Sequence, residues 1–290
     1  MKVAVIGANG QLGTDVAAAF AKRGTQVRCL THSDIEVVSA ESIESSLGTD
    51  APELIVNTVA MHQVEQCEQR PDEAFAVNAL GPKNLALQAN RIGAVLMHVS
   101  TDYVFDGSKG APYCEDDTPR PLNAYGVTKL AGEHFVRSLA NKYFLVRTSA
   151  LYGKSPCRGK GGLNFVELML KLGRERGKVR VVDDEYVTPT STKELARQMV
   201  ALSESTHYGL YNATANGSCS WYEFAREIFA AAGVQATVEA AAPGEFPAKT
   251  PRPKYSVLDN RGLRSIGLDL FGSWQSGLSE YLSAGLAATN

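Results

Sequence analysis

Residues 2–13 read KVAVIGANGQLG. Lys2 is followed by four apolar residues, then by glycines at 7, 10 and 13 and by a run with helical periodicity, LGTDVAAAFAKRG. An apolar run without polar alternation suits a strand buried on both faces of a parallel sheet. The turn after it needs backbone freedom, and residues without a Cβ let the chain come close to a pyrophosphate. The helix that follows would offer free N–H groups and the positive end of its dipole to those phosphates. Strand, glycine turn and helix in this order predict a dinucleotide site at the head of an α/β chain.

The same rhythm recurs through the first half: QVRCL, then ELIVNTVA with a helix to Gly93, then AVLMHVS, NAYGVTKLAGEHFVRSLANK and YFLVRTS. Regular alternation implies right-handed crossovers and a Rossmann-like, doubly wound parallel sheet. After about Ser149 the pattern changes, with Gly and Lys clustered in YGKSPCRGKGG and a Pro-rich stretch, APGEFPAKTPRP, near the end. Residues 1–150 are therefore expected as an NAD(P)-binding Rossmann domain, with 184–215 returning to it. Residues 151–183 and 216–290 are expected as a smaller substrate-binding lobe that closes a cleft over the carboxyl ends of the strands.

Bulk properties narrow the function. The 290 residues carry a formal net charge of −2 and no basic run, so neither nucleic acid nor an anionic membrane is the expected partner. No leader pattern or membrane-length apolar run can be drawn. Cys29, Cys67, Cys114, Cys157 and Cys219 are odd in number and form no C-x-x-C, which reads as reduced thiols in a cytoplasmic protein.

Two further stretches carry chemistry. AVLMHVSTDYVFDG ends a buried strand on Ser100, Thr101, Asp102 and Tyr103, where hydroxyls can reach a reacting oxygen. AYGVTKLAGE, residues 124–133, sets Tyr125 and Lys129 one helical turn apart, hence on one face. A free phenol titrates near ~10, too high for use at neutral pH. A neighbouring ammonium would stabilise the phenolate, so Lys129 is expected to tune Tyr125 and to bind ribose hydroxyls. Tyr125 would then exchange a proton with a ketone oxygen, held also by Thr101, while a nicotinamide exchanges hydride. At the end of the second strand Thr31 and His32 stand where an acidic residue would select NAD; Arg28 and His32 favour a 2′-phosphate, so NADPH is expected to be accepted and preferred over NADH.

The chain resembles the extended short-chain dehydrogenase/reductases, and among them the dTDP-4-dehydrorhamnose reductase family. The resemblance runs through GANGQLG, VNTVA (56–60), VNA (77–79), VSTDYVFDG, PLNAYGVTKLAGE, RTSALYG, DDEYVTPTST, GLYNATANGSCSWYEFA and TPRP, in the family's order. It implies NAD(P)H-dependent reduction of a nucleotide-linked 4-keto-deoxysugar by a homodimer, with Thr101, Tyr125 and Lys129 catalytic. It places Gly7, Gly10, Gln11, Leu12, Gly13, Ala60, Asn78 and Ser100 along the cofactor, and Asp102, Tyr103, Asn164, Trp221 and Arg252 toward the sugar nucleotide. Departures are Ala150 where RTS is usually followed by Trp, His62 and Glu65 in place of Thr and Asp, and Glu185 and Val187 in DDEYVTPT. His62 is thereby a candidate substrate contact, read first as a hydrogen-bonded structural residue. Asp116-Asp117 and Asp183-Asp184-Glu185 lack metal-cage spacing and are read as solvated loops, with no required metal. Trp221, Tyr222, Phe224 and Phe229 are read as the apolar face of a helix, with Trp221 also able to cap the cleft. Two other functions fit the same resemblance. An epimerase or dehydratase would turn over with tightly held NAD and no net cofactor use. A non-catalytic nucleotide-binding regulatory subunit, like that of methionine adenosyltransferase, would not oxidise NADPH on any keto sugar.

Overall fold

In the computed structural model, residues 1–156, 161–242, 245 and 249–286 are described; Cys157 and parts of the glycine-lysine and proline-rich stretches lie outside them. Strands β1 (Lys2–Ile6), β2 (Gln26–Leu30), β3 (Leu54–Asn57), β4 (Val95–Thr101) and β5 (Tyr143–Thr148) form one parallel sheet with a sixth strand, Gly209–Asn212. The order across the sheet is Gly209–Asn212, β5, β4, β3, β1, β2. The chain leaves β1 for β2 on one side, then returns to β3 on the other. This reversal puts a topological switch point between β1 and β3, where such sheets bind ligands beyond the strand ends.

Both faces of the sheet are covered, which is why its strands do not alternate apolar with polar. Val3 and Val5 pack with Val16 and Phe20 of the helix Gln11–Lys22 and with Leu195 and Met199 of the helix Thr192–Ser203. Ala4 and Ile6 point the other way, into Ile43, Leu47, Leu85 and Val136. The period of two along each strand thus feeds two separate cores. A third core lies in the second half of the chain. There Val166, Met169, Phe224, Ile228, Trp274 and Leu278 bring three helices together over the short parallel strands Lys178–Val181 and Thr237–Ala240. Phe224 and Phe229 are buried there, as the helical periodicity of that segment predicts.

The helix Ala124–Leu139 carries Tyr125 and Lys129, and three features fix its position. Asn123 caps its start, accepting the Gly126 N–H on Oδ1 at 2.9 Å. At Gly126 the helix presses against the chain after β4 so closely that a Cβ would sit 2.2 Å from the Tyr103 carbonyl oxygen. That is the reason for a glycine between the tyrosine and the lysine. Two turns on, Glu133 is fully buried and forms a two-pronged pair with Arg147 of β5, Nε to Oε1 at 2.9 Å and Nη2 to Oε2 at 2.6 Å. Ser100 at the end of β4 donates its hydroxyl to the same carboxylate at 2.6 Å. The Arg147 guanidinium also lies over the Phe105 ring, 5.1 Å from its centre.

A buried pair of this kind contributes little net stability over an apolar substitute, but losing one partner strands a charge away from water. Arg147→Met is therefore expected to lower unfolding free energy by about 3–5 kcal/mol in urea titrations. Adding Glu133→Leu should restore most of that loss. A single variant within about 1 kcal/mol of the parent would show that the pair does not hold helix to sheet.

Candidate functional site

A cleft of about 530 Å³ opens at the switch point. Its walls include Gly7, Gly10, Gln11, Leu12, Thr31, His32, Ala60, His62, Ser100, Thr101, Asp102, Tyr103, Tyr125, Lys129 and Trp221, drawn from segments far apart in sequence. At one end is the glycine turn. A Cβ on Gly13 would lie 2.1 Å from the Gly7 carbonyl oxygen, and one on Gly7 would lie 2.8 Å from Thr58 Oγ1. Gly13 does not line the cleft; its part is to let the helix start against the turn. Gly10 is the N-cap of that helix and supplies no side-chain cap, whereas Ser39, Asn123, Asn164 and Ser220 cap theirs. A bare helix start behind a turn with no room for side chains fits a dinucleotide pyrophosphate.

At the β2 end, Thr31 and His32 line the cleft, and Thr31 is tied by its N–H and hydroxyl to Asp34 at 2.8 and 2.7 Å. Arg28 does not reach the cleft. Its guanidinium donates to the carbonyls of Ser46, Thr49 and Asp50, because it projects from the edge strand toward the end of the helix Ala40–Leu47. Glu36, which the motif reading passed over, lines the cleft and approaches His32 Nδ1 at 3.3 Å.

At the other end, Thr101, Tyr125 and Lys129 come together with Ser100 and Tyr103. The Tyr103 and Tyr125 rings meet edge to face at 5.8 Å. Burial raises the Tyr125 phenol above its ordinary 10, opposed by hydrogen bonding with Thr101. Burial acts on the lysine too, lowering Lys129 to about 8 against the pull of Glu133. Its Nζ donates to the Val99 carbonyl at 2.6 Å. Burial thus favours the neutral form of each side chain.

Asp102 lines the cleft yet spends its oxygens inward. Oδ1 accepts from the Thr101 hydroxyl at 2.9 Å, and Oδ2 accepts from Ser149 at 2.9 Å and Ser256 at 2.5 Å. Burial raises its pKa against these three bonds. Three of the candidates do other work. Asn78 is wholly buried, bonding Met61 N–H and carbonyl and the Thr128 hydroxyl. Asn164 caps the helix Phe165–Arg176 through a capping box and binds Gly153 O and Tyr281 Oη. Arg252 lies behind the cleft wall, its Nη2 on Glu65 at 2.5 Å and its charge felt by Tyr103. Trp221 lines the cleft and packs on Phe165 at 4.6 Å, with its indole hydrogen-bonded to Glu185. Asp184 pairs with Lys254 and Asp116 with Arg261, and Asp183 accepts from the capping hydroxyl of Ser220. Among the described residues no three His, Cys, Asp or Glu side chains converge on a metal-sized site.

A family model described as the RmlD substrate binding domain matches residues 1–286. The spore coat polysaccharide biosynthesis protein SpsK of Bacillus subtilis is 39% identical over 281 residues, covering 97% of this chain and 96% of its own. The crystal structure of a dTDP-4-dehydrorhamnose reductase from Clostridium acetobutylicum superposes with a TM-score of 0.94 at 39% identity, over 99% of this chain and 100% of that one. That of dTDP-4-dehydrorhamnose reductase from Bacillus anthracis, in complex with NADP, gives 0.93 at 36% identity over 98% and 99%. The chain belongs to the dTDP-4-dehydrorhamnose reductase family, a family of NAD(P)-dependent oxidoreductases.

In this member of the reductase family, residues that motif reading missed line the cleft or stand behind its walls. Ser149 and Ser256 hold Asp102, and His98 and Asn57 lie behind Lys129. Thr148 lines the cleft with its buried hydroxyl unpartnered. The RTS segment that supplies Thr148 and Ser149 was a signal available in the sequence; the partnership with Ser256, more than a hundred residues on, was not. Ala150 lines the cleft at the position where a Trp is expected in this family, and its backbone is left-handed, φ 45°.

The depressed lysine has a thermodynamic signature. Its folded-state value of about 8 lies below the unfolded 10.5, so between these values the unfolded chain binds more protons than the native one. Wild-type stability should therefore rise with pH across that window by about 3 kcal/mol relative to Lys129→Met, which cannot titrate. Urea unfolding of both proteins at a series of pH values measures this; a difference independent of pH would refute the buried, depressed amine.

Proposed function

We propose that this protein reduces a nucleotide-linked 4-keto-6-deoxysugar, with dTDP-4-dehydrorhamnose as the first substrate to test, using NADPH or NADH. What carries the reading is the meeting of Thr101, Tyr125 and Lys129 in the cleft whose far end is the glycine cradle. When bound, the reduced nicotinamide supplies the hydride. The chain's own residues supply the proton and the positioning. A carbonyl becoming an alcohol needs one proton, and a phenol whose affinity for its proton is raised by burial is fully loaded at neutral pH. Thr101 stands beside it and would hold the same oxygen by turning its one hydroxyl proton from Asp102 Oδ1 to the substrate. His62, Tyr103 and Trp221 line the wall left for the sugar nucleotide, and Ala150 leaves that wall roomy. At the adenosine end Arg28 is engaged elsewhere and Glu36 stands with His32, so we infer that NADPH is accepted without strong discrimination against NADH. Cytoplasmic location is supported by the unpaired Cys29, Cys67, Cys114 and Cys219, and a homodimer belongs to the same reading.

Oxidation of NADPH followed with dTDP-4-dehydrorhamnose tests it directly. Tyr125→Phe is expected to cut kcat by about 10²–10⁴ while NADPH binding to the variant stays nearly unchanged. Turnover at the parental rate in that variant would remove Tyr125 as the proton donor. No NADPH consumption by the parent on any 4-keto sugar nucleotide would remove the reductase reading itself.

A further inference from the structure

The fork at Glu133 holds the middle of the helix Ala124–Leu139, two turns away from Tyr125. Tyr125 itself is the second residue of that helix. There the backbone N–H groups find no carbonyl within the helix, and the turn frays unless something outside holds it. Asn123 Oδ1 takes the Gly126 N–H. The Ala124 N–H is taken from another element: Glu68, in the short helix Val64–Gln69, accepts it on Oε1 at 2.6 Å. A carboxylate on an N–H at the positive end of a helix makes a charge-assisted bond that the dipole reinforces. The carbonyl of Tyr125 is held as well. It accepts the Thr128 hydroxyl at 3.0 Å, and Thr128 accepts from Asn78, which binds both the N–H and the carbonyl of Met61. The Cys67 thiol, next to Glu68, donates to the same Met61 carbonyl at 3.3 Å. Backbone on either side of the tyrosine is thus tied to one stretch of chain, from Met61 to Glu68.

We propose that Glu68 is a positioning residue: through the Ala124 N–H it fixes the first turn of the helix, and so the direction in which the Tyr125 phenol enters the cleft. The inference rests on Tyr125 being the proton donor argued above. Glu68 does not line the cleft and lies at the surface, so its removal empties no core and strands no buried charge. What it holds is local. The Tyr125 ring meets Tyr103 edge to face, and the Tyr103 carbonyl presses on Gly126; a first turn that unwinds loses both contacts. Two further bonds close a ring around this turn. Asn123 Nδ2 donates to the Pro251 carbonyl at 2.9 Å, and Arg252 returns to the helix Val64–Gln69 through Glu65 at 2.5 Å. The same segment runs on to Ser256, whose hydroxyl donates to Asp102, and Asp102 accepts from Thr101. The phenol and the threonine that share the substrate oxygen are thereby registered against each other, with Glu68 as the member of the ring that can be altered from outside.

Glu68→Ala and Glu68→Gln, made in the full-length protein, test this. Alanine removes the acceptor, whereas the amide oxygen of glutamine can still take the Ala124 N–H. Glu68→Ala is expected to lower kcat on dTDP-4-dehydrorhamnose about tenfold, with KM for that substrate and Kd for NADPH within about twofold of the parent. Glu68→Gln is expected to keep most of the parental kcat. An unchanged kcat in Glu68→Ala overturns the proposal, as does an equal loss in both variants or a loss carried by KM alone. Amide hydrogen exchange, measured without substrate, reads the turn directly. In Glu68→Ala the N–H groups of Ala124, Tyr125 and Gly126 should exchange about tenfold faster, while those from Glu133 onward keep the parental rate. Exchange that is unchanged, or faster along the whole helix, also overturns it. Should the parent turn over no 4-keto sugar nucleotide, the reductase reading falls by that measurement, and the exchange pattern decides the role of Glu68 separately.

Discussion

Glu133 is a carboxylate with no access to water, and its position can be kept only if its donors stay in place. Arg147 reaches it from β5 and Ser100 from the end of β4, so a single charge ties one helix to two strands. The helix cannot slide along the sheet without breaking the pair, and it cannot lift off without taking a charge through an apolar core. Close approach at Gly126 then sets the depth at which it sits. Lys129 is one turn from Glu133 and Tyr125 is two, so their placement over the strand ends follows from a bond neither of them makes. Chemistry that requires tenths of an ångström is held here by a buried ionic fork whose own contribution to stability is small.

The same burial that makes the fork expensive to break sets the proton affinities in the cleft. In water a phenol and an alkylammonium titrate within about half a unit of each other. Here burial moves them apart, the phenol upward and the lysine to about 8, and each shift favours the uncharged form. The phenol thus keeps its proton at neutral pH, while the lysine, at about 8, is still mostly charged there. A lysine whose charge burial disfavours destabilises the folded chain at neutral pH relative to an uncharged side chain in its place.

How far this was legible beforehand depends on the separation in sequence of the partners. The glycine turn, the hydroxyl-bearing end of β4 and the tyrosine–lysine spacing are local patterns, and local geometry carries them into the cleft without further information. Asn57 and His98 are 41 positions apart and Asp102 and Ser256 are 154 apart, and no short motif joins them. Asn78 and Asn164 show a second difficulty. Both stand in motif-like stretches and both are polar, yet one braces Met61 against Thr128 and the other caps a helix. Asparagine in a motif has two meanings, ligand or internal brace, and only the count of satisfied hydrogen bonds separates them. Arg28 misled for a third reason: it lies on an edge strand, where a long side chain finds carbonyls at a helix end before it finds the cleft.

Ala150 shows why the substrate end resists reading from sequence alone. Its φ of 45° is a conformation that L-residues avoid, at a cost of roughly 1–2 kcal/mol. The chain is held in it from both sides. Ser149 just before it is bound to Asp102 at 2.9 Å, and its own carbonyl accepts the Thr190 N–H at 3.3 Å. The backbone shape is therefore imposed by neighbours and not by the residue, and a larger side chain at 150 would have to project from the same strained backbone. Where the family expects tryptophan, the present chain keeps the alanine Cβ and the space beyond it. The strain and the Asp102 cage are one construction: the hydroxyl that pins Ser149 to Asp102 also fixes where position 150 faces the cleft. The backbone at position 150 and the orientation of Thr101 consequently share a carboxylate, so that a change at either end of this segment is felt at the other.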